Sequence, residues 1–211
     1  MSDPWSDRAE LYRTSSAHSE GPDLDQLVAW AAGARTALDV ATGGGHVARR
    51  LREAGLEVVT ADPAPGMRPD VLCTAEDLPF ADASFDVAVT RVAAHHFTDI
   101  RAATRELARV SRDRVLVVDT LYQGEAGEEA ERLHDPSHVR NYTEDEWRGF
   151  LEDAGLIVAD IRTFEVPVEF EQWLARTGCE GDDARRAREL LADRIHDGTL
   201  AMTRIALRAT R

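Results

Sequence analysis

The feature that most constrains this 211-residue chain is a series of short, nearly continuous apolar runs: TALDVA at 36–41, LEVVTA at 56–61, DVLCT at 70–74, SFDVAVT at 84–90 and RVLVVDT at 114–120. A strand with one solvated face alternates apolar and polar residues, whereas a strand covered on both faces has no need to. Helical patterns at 45–54 and 100–110 separate several of these runs. Strands alternating with helices in this way predict an α/β fold, a doubly wound sheet with helices on both faces. Upstream, DLDQLVAWAA at 23–32 places Leu24, Leu27, Val28 and Ala31 on one helical face. Downstream, Thr143 and Glu146 have the spacing of a capping box, a helix runs through Ala154, and Gly155 stops it. The tail carries a strand pattern at 156–166, helical stretches at 169–176 and 182–194, and a last strand at 200–209. The charged, glycine-containing stretch Gln123–Glu131 is expected to be a solvated loop. No linker divides the chain, so 1–211 is read as one domain.

The glycine loop decides the ligand class. In TALDVATGGGHVARRL (36–51) a strand pattern runs into three glycines and then into a helix. Gly43-x-Gly45-x-x-Ala48 matches the dinucleotide fingerprint, whose mechanism needs a pyrophosphate on the helix N-terminus. Asp39, however, stands near the carboxyl end of the strand, where ligands of α/β sheets bind. A carboxylate there repels a pyrophosphate and suits an ammonium or sulfonium group. The ligand indicated is a cationic nucleoside without phosphate, S-adenosylmethionine. Asp62, closing the second strand pattern, can accept hydrogen bonds from both ribose hydroxyls.

With LDVATGGGH, TADPAPGM, AEDLPFADASFDVAV, TRVAAHHFTD, RELARV and RVLVVDT in this order, the chain resembles the class I S-adenosylmethionine-dependent methyltransferases. It is most similar to the small-molecule enzymes grouped with the ubiquinone and menaquinone biosynthesis methyltransferases. YRTSSAH and HDPSHVRNYTEDEW resemble flanking parts of some relatives. The resemblance implies a Rossmann-like sheet of about seven strands, mostly parallel, with one antiparallel strand near the C-terminus. It also implies an N-terminal helical lid at 1–34, a cofactor-binding core at 35–120, and a substrate-side, sheet-completing part at 121–211. By position, Asp39, Ala41, Gly43 and Gly45 shape the loop around the methionine end of the cofactor, and Asp62 holds the ribose. Met67 packs on the adenine, and Arg91 lies beside the methionine moiety. Ala41 stands where many relatives have glycine. Thr74 replaces the acidic residue that contacts the adenine amino group, leaving the Ala75 backbone and Glu76. Where relatives have a full helix after the ribose carboxylate, Pro63, Pro65, Gly66 and Pro69 predict a loop over 63–69 and a thinner sheet edge.

A sulfonium is a good leaving group, so a general base is needed only for an acceptor that must lose a proton. The candidates are His96, then His134, then His95, with His138 in the same segment as His134. Tyr12 and His18 are candidates for a lid. Trp147, Phe150 and Trp173 are expected in the core. The function implied is methyl transfer to an O, N or C nucleophile on a small, apolar or aromatic acceptor. The alternatives are a cofactor-binding protein that does not methylate, such as a cyclase or pseudoenzyme partner, and an NAD-dependent oxidoreductase. A nucleic-acid substrate is disfavoured by TRVAAHHF, which lacks the Asn/Asp-Pro-Pro-aromatic pattern of base-modifying enzymes. Charge agrees: the formal net charge is −14, all 25 basic residues are arginine, and none forms a run longer than two. Acidic membrane surfaces are disfavoured for the same reason, and no apolar run reaches the ~18 residues of a membrane span. Two distant cysteines, Cys73 and Cys179, and a polar N-terminus without an apolar signal core predict a reducing cytoplasm. A monomer or homodimer is expected, and no metal site is read.

Overall fold

The structure is a computed structural model that describes residues 4–14 and 19–211. The Ser15–His18 part of YRTSSAH, and with it the expected lid role of His18, lies outside the described residues. Two short helices, α1 (Pro4–Asp7) and α2 (Ala9–Thr14), precede α3 (Pro22–Trp30). The alternating core then runs β1 (Thr36–Val40), α4 (His46–Glu53), β2 (Glu57–Asp62), β3 (Val71–Leu72), β4 (Phe85–Arg91), α5 (Ile100–Val110) and β5 (Ser111–Thr120). The remainder is α6 (Glu125–His134), α7 (Glu144–Asp153), β6 (Ile157–Glu169), α8 (Phe170–Thr177), α9 (Gly181–Leu190), β7 (Ile195–His196) and β8 (Thr199–Thr210).

The strand order is β3-β2-β1-β4-β5-β8-β6, with the two-residue β7 on β8. Pairs from β3 to β5 are parallel, while β8 runs antiparallel between β5 and β6. The doubly wound, mostly parallel sheet with one reversed strand near the C-terminus therefore stands, with eight strands where about seven were expected.

One sheet face buries Leu107, Trp147, Phe150 and Leu151 from α5 and α7. The other buries Leu24, Leu27, Val47 and Leu51 from α3 and α4. Covering both faces explains why the strands read as apolar runs. Helix starts follow local chemistry: Thr143 and Glu146 form the predicted capping box, and the Asp99 carboxylate accepts from the Ala102 amide at the start of α5.

Two local readings have different outcomes. Residues 63–69 hold only a three-residue 3-10 turn, Pro65–Met67, as the prolines require. The edge beyond it is thin, with Leu72 on β3 58% exposed. The N-terminal arm lies over the loop itself: the Gly66 amide donates to Ser6 Oγ at 2.7 Å, and Arg13 donates to the Gly66 carbonyl at 3.0 Å. A Cβ on Gly66 would sit 2.5 Å from Ser6 Cα, so only glycine permits this contact.

The reading of Gln123–Glu131 as a loop is overturned, because Glu125–His134 is helical. Gly127 costs a helix about 1 kcal/mol relative to alanine, and the charges hide the apolar face. Packing decides: Ala130 is fully buried against a satellite core of Val166, Val168, Trp173, Ala184, Ala187 and Leu200. Helices α6, α8 and α9 thus form a layer over the ends of β6 and β8, beyond the carboxyl end of β5.

Candidate active site

At the carboxyl ends of β1, β2 and β4 lies a cleft with a cavity volume of about 220 Å³. Its wall brings together Ala41, Gly43, Asp62, Met67, Ala75, Glu76, Arg91 and His96, eight residues drawn from distant parts of the sequence. Asp39 and Gly45 are not on that wall. Asp39 is buried, and its carboxylate accepts from Thr42 Oγ1 at 2.6 Å and from the Ala48 amide at 3.0 Å. It therefore caps the first turn of α4 from the neighbouring strand, a role that the N-cap residue Gly45 cannot fill without a side chain. Burial pushes the Asp39 carboxyl up to about 7. The carboxylate braces the loop from behind, off the cleft wall.

Ala41 sits at the turn out of β1 with φ 55°, in the left-handed region. That conformation costs an L-residue roughly 1–2 kcal/mol, partly offset because glycine loses more entropy on folding. Ala41→Gly is expected to stabilise the protein by about 0.5–1 kcal/mol, read as a higher urea midpoint at unchanged m-value. A lower midpoint would mean that packing of the methyl group on the main core outweighs the strain.

Asp62 accepts from the Gly43 amide at 2.9 Å through one oxygen and from the Ala64 amide at 2.9 Å through the other. A carboxylate accepts up to about four bonds, so these two amides pin it at the cleft wall in a fixed orientation. The Glu76 carboxylate accepts from the Thr98 amide at 2.9 Å, tying the segment after β3 to the entry of α5. Trp5 and Tyr12 of the arm also line the cleft, and His46 Nε2 donates to the Tyr12 carbonyl at 2.9 Å. Tyr12 therefore lies over the glycine loop, where the expected lid would.

Arg91 is more than a wall residue. Its Nε donates to Asp23 Oδ2 at 2.7 Å, and Arg204 Nη1 donates to the same oxygen at 3.1 Å. All three side chains are buried, Asp23 completely. Asp23 was not singled out in the sequence because its partners lie 68 and 181 residues away.

A second, smaller cavity of about 60 Å³ adjoins the cleft through Tyr12, Val92 and His96, which line both. It gathers His95, His134 and His138 with Glu131, Asp135 and Arg176, and Arg204 also reaches its wall. The side chains here are mostly ionisable.

The histidines differ sharply. His95 Nδ1 donates to Asp119 Oδ1 at 2.6 Å, and the His95 amide donates to Asp119 Oδ2 at 2.8 Å. Burial pulls the imidazole down, but the Asp119 carboxylate more than compensates and holds it above the usual histidine value. His96 Nδ1 donates to the Ser137 carbonyl at 3.1 Å; burial and the neighbouring His95 charge push it down to about 3. His134 stacks on Trp173 at 3.7 Å and shares a 3.0 Å hydrogen bond between its Nδ1 and Thr177 Oγ1. Burial and Arg176 push it down to about 3 as well. Asp119 carried a readable signal: like Asp62, it is a carboxylate ending an otherwise apolar strand. Among the described residues, no group of three or more His, Cys, Asp or Glu side chains could hold a metal ion, and no helix is long and apolar enough to cross a membrane.

Residues 38–118 match the methyltransferase-domain family. The chain is 33% identical over 203 residues to YcgJ of Bacillus subtilis, an uncharacterised methyltransferase, covering 85% of this chain and 80% of that one. The crystal structure of YcgJ superposes with a TM-score of 0.80 at 27% identity, covering 90% of this chain and 97% of the other. A Bacillus halodurans C-125 protein described as a methyltransferase also superposes at 0.80, with 26% identity over 90% of this chain and 99% of its own. With the sheet order, the glycine loop and a relative of this similarity along most of its length, the chain belongs to the class I S-adenosylmethionine-dependent methyltransferases.

Proposed function

We propose that the cleft holds S-adenosylmethionine and that the adjoining cavity holds a small-molecule acceptor, with His95 of that cavity as the general base. The observation that carries the first part is Asp62, pinned by two backbone amides at the wall of a cleft floored by the glycine loop. A buried, oriented carboxylate suits a vicinal diol, and Met67 beside it offers an apolar surface for the adenine. The Ala75 backbone and Glu76 line the adenine side, and Arg91 lines the methionine side. Asp39 and Gly45 support the loop. Bound S-adenosylmethionine supplies a methyl group already activated by its sulfonium. What remains for the protein is to hold the acceptor in line, exclude water and take a proton where one must leave.

For that proton, His95 is better suited than His96 or His134. With Nδ1 committed to Asp119, its Nε2 is left as the proton acceptor, and the carboxylate stabilises the imidazolium that forms. His96 and His134, held neutral by burial, serve as walls that position the acceptor. An acceptor oxygen or nitrogen that took the methyl group would lose its proton to His95 Nε2, while the carbon–sulfur bond broke and its electron pair left the sulfur as a neutral thioether.

The test of the cofactor assignment is calorimetry with S-adenosylhomocysteine. The wild type is expected to bind it, and Asp62→Ala to weaken binding by about 2–3 kcal/mol, the loss of a charge-assisted pair of hydrogen bonds. Binding of NADH with none of S-adenosylhomocysteine would sink the proposal.

A further inference from the structure

Three ionisable side chains around the small cavity have groups without a partner among the described residues. Arg176, half-buried on the cavity wall, makes no hydrogen bond or ion pair, and partial burial pulls its guanidinium below the usual arginine value. Glu131 likewise has no side-chain hydrogen bond or ion pair, and burial pushes its carboxyl up. His138, its side chain 1% exposed, donates through Nε2 to Glu128 at 3.1 Å and leaves Nδ1 unpaired. A buried polar group without a partner is costly, more so when charged, and native proteins keep few of them. His138 Nδ1 is such a group, and Arg176 and Glu131, half-buried on the wall of the same cavity, add a donor and an acceptor that a ligand there would pair.

The chemistry of the wall selects the ligand. Arg176 presents a planar fork of donors that matches a carboxylate, and Arg204 adds positive charge from a triad holding two guanidiniums to one carboxylate. Glu131 and Asp135 face the same space, so a dianion such as a phosphate monoester would be repelled, whereas a hydroxyl or amine would find an acceptor. The size agrees: at ~10–15 Å³ per water-sized group, about 60 Å³ admits roughly four to six such groups.

We infer that the acceptor is a small hydroxy- or amino-carboxylate, its carboxylate seated on Arg176 and its nucleophile towards His95 and Glu131. This rests on the reading of the cleft as the S-adenosylmethionine site. Arg176 comes from α8 and Glu131 from α6, so the layer that the sheet fold does not require is what recognises the acceptor.

The experiment uses the full chain saturated with S-adenosylhomocysteine and titrates glycolate, glycine and β-alanine against glycolamide, glycinamide and β-alaninamide at constant ionic strength. At least one acid is expected to bind ten-fold or more tighter than its amide. Arg176→Gln should abolish that preference and Arg176→Lys keep part of it, with S-adenosylhomocysteine affinity within two-fold of wild type in both. Equal binding of acids and amides, binding of neither, or a preference that survives Arg176→Gln overturns the inference and leaves the cofactor site standing. A large loss of S-adenosylhomocysteine affinity in Arg176→Gln overturns it differently, assigning the guanidinium to the cofactor's own carboxylate. If S-adenosylhomocysteine does not bind the wild type, the cofactor reading fails and this inference fails with it.

Discussion

Asp23→Asn is expected to lower unfolding stability by about 3–5 kcal/mol, the cost of leaving buried guanidiniums without their counter-charge. At roughly 2–4 °C per kcal/mol for a chain of this size, the melting temperature should fall by roughly 6–20 °C. The reason lies in the geometry of one oxygen. Asp23 Oδ2 receives Arg91 Nε and Arg204 Nη1, and all three side chains are almost wholly buried. Burial alone would raise the Asp23 carboxyl, but the two arginines hold it below the usual carboxylate value. A folded-state pKa below the unfolded one adds stability that is fully present above the unfolded value and lost as pH falls through the folded one. The gap between wild type and variant should therefore be constant near neutrality and close in acid. Replacing all three residues together, as Asp23→Leu with Arg91→Met and Arg204→Met, is expected to be far milder, because no charge is left stranded. A single Asp23→Asn variant as stable as wild type would show that solvent reaches the triad.

The same triad shows why some of the molecule was legible in the sequence and some was not. The strands were readable because their apolar runs are local, and the loop at 63–69 because proline chemistry is local too. The mostly parallel sheet with one reversed strand near the C-terminus followed from the family resemblance carried by those segments. The residues proposed for the cofactor were legible as candidates because they stand at strand ends in sequence, as Asp62 ends β2 and Arg91 ends β4. The proposed acceptor side was not. His95, Glu131, Arg176 and Arg204 line one cavity only after α6 and α8 dock on the satellite core, and no short window contains two of them. Glu131 also sat in a stretch whose charge and Gly127 read as solvated loop, though Glu128, Glu131 and His134 are spaced three apart, as on one helical face. The ordering of the histidines required the same long-range information. Proximity to the strand ends favoured His96, whereas partners 24 and 41 residues away distinguish His95 on Asp119 from His96 on Ser137.

His95→Ala is accordingly expected to lower turnover by roughly 10²–10⁴-fold with any hydroxyl or amine acceptor that the wild type uses, the usual contribution of a positioned general base. Affinity for S-adenosylhomocysteine should stay near wild type, since His95 lines the smaller cavity and not the cleft. The pH dependence carries the sharper test. A base must be unprotonated to act, and Asp119 holds the His95 imidazole above its ordinary value against the opposing pull of burial. Activity should therefore rise with pH through an apparent pKa above about 6.5, the ordinary histidine value. Asp119→Asn removes the charge that raises it, so the rising limb should move to lower pH while the plateau falls, the imidazole being a weaker and less firmly held base. The same displacement is measurable without an acceptor, by NMR titration of the His95 ring in wild type and Asp119→Asn. His96→Ala should leave the rising limb in place and act mainly on KM, because a histidine pushed down to about 3 has no proton to exchange near neutrality. If His95→Ala keeps full turnover and an unchanged pH profile, proximity alone carries the transfer, and the dyad serves only to fasten the loop after β4 to the end of β5.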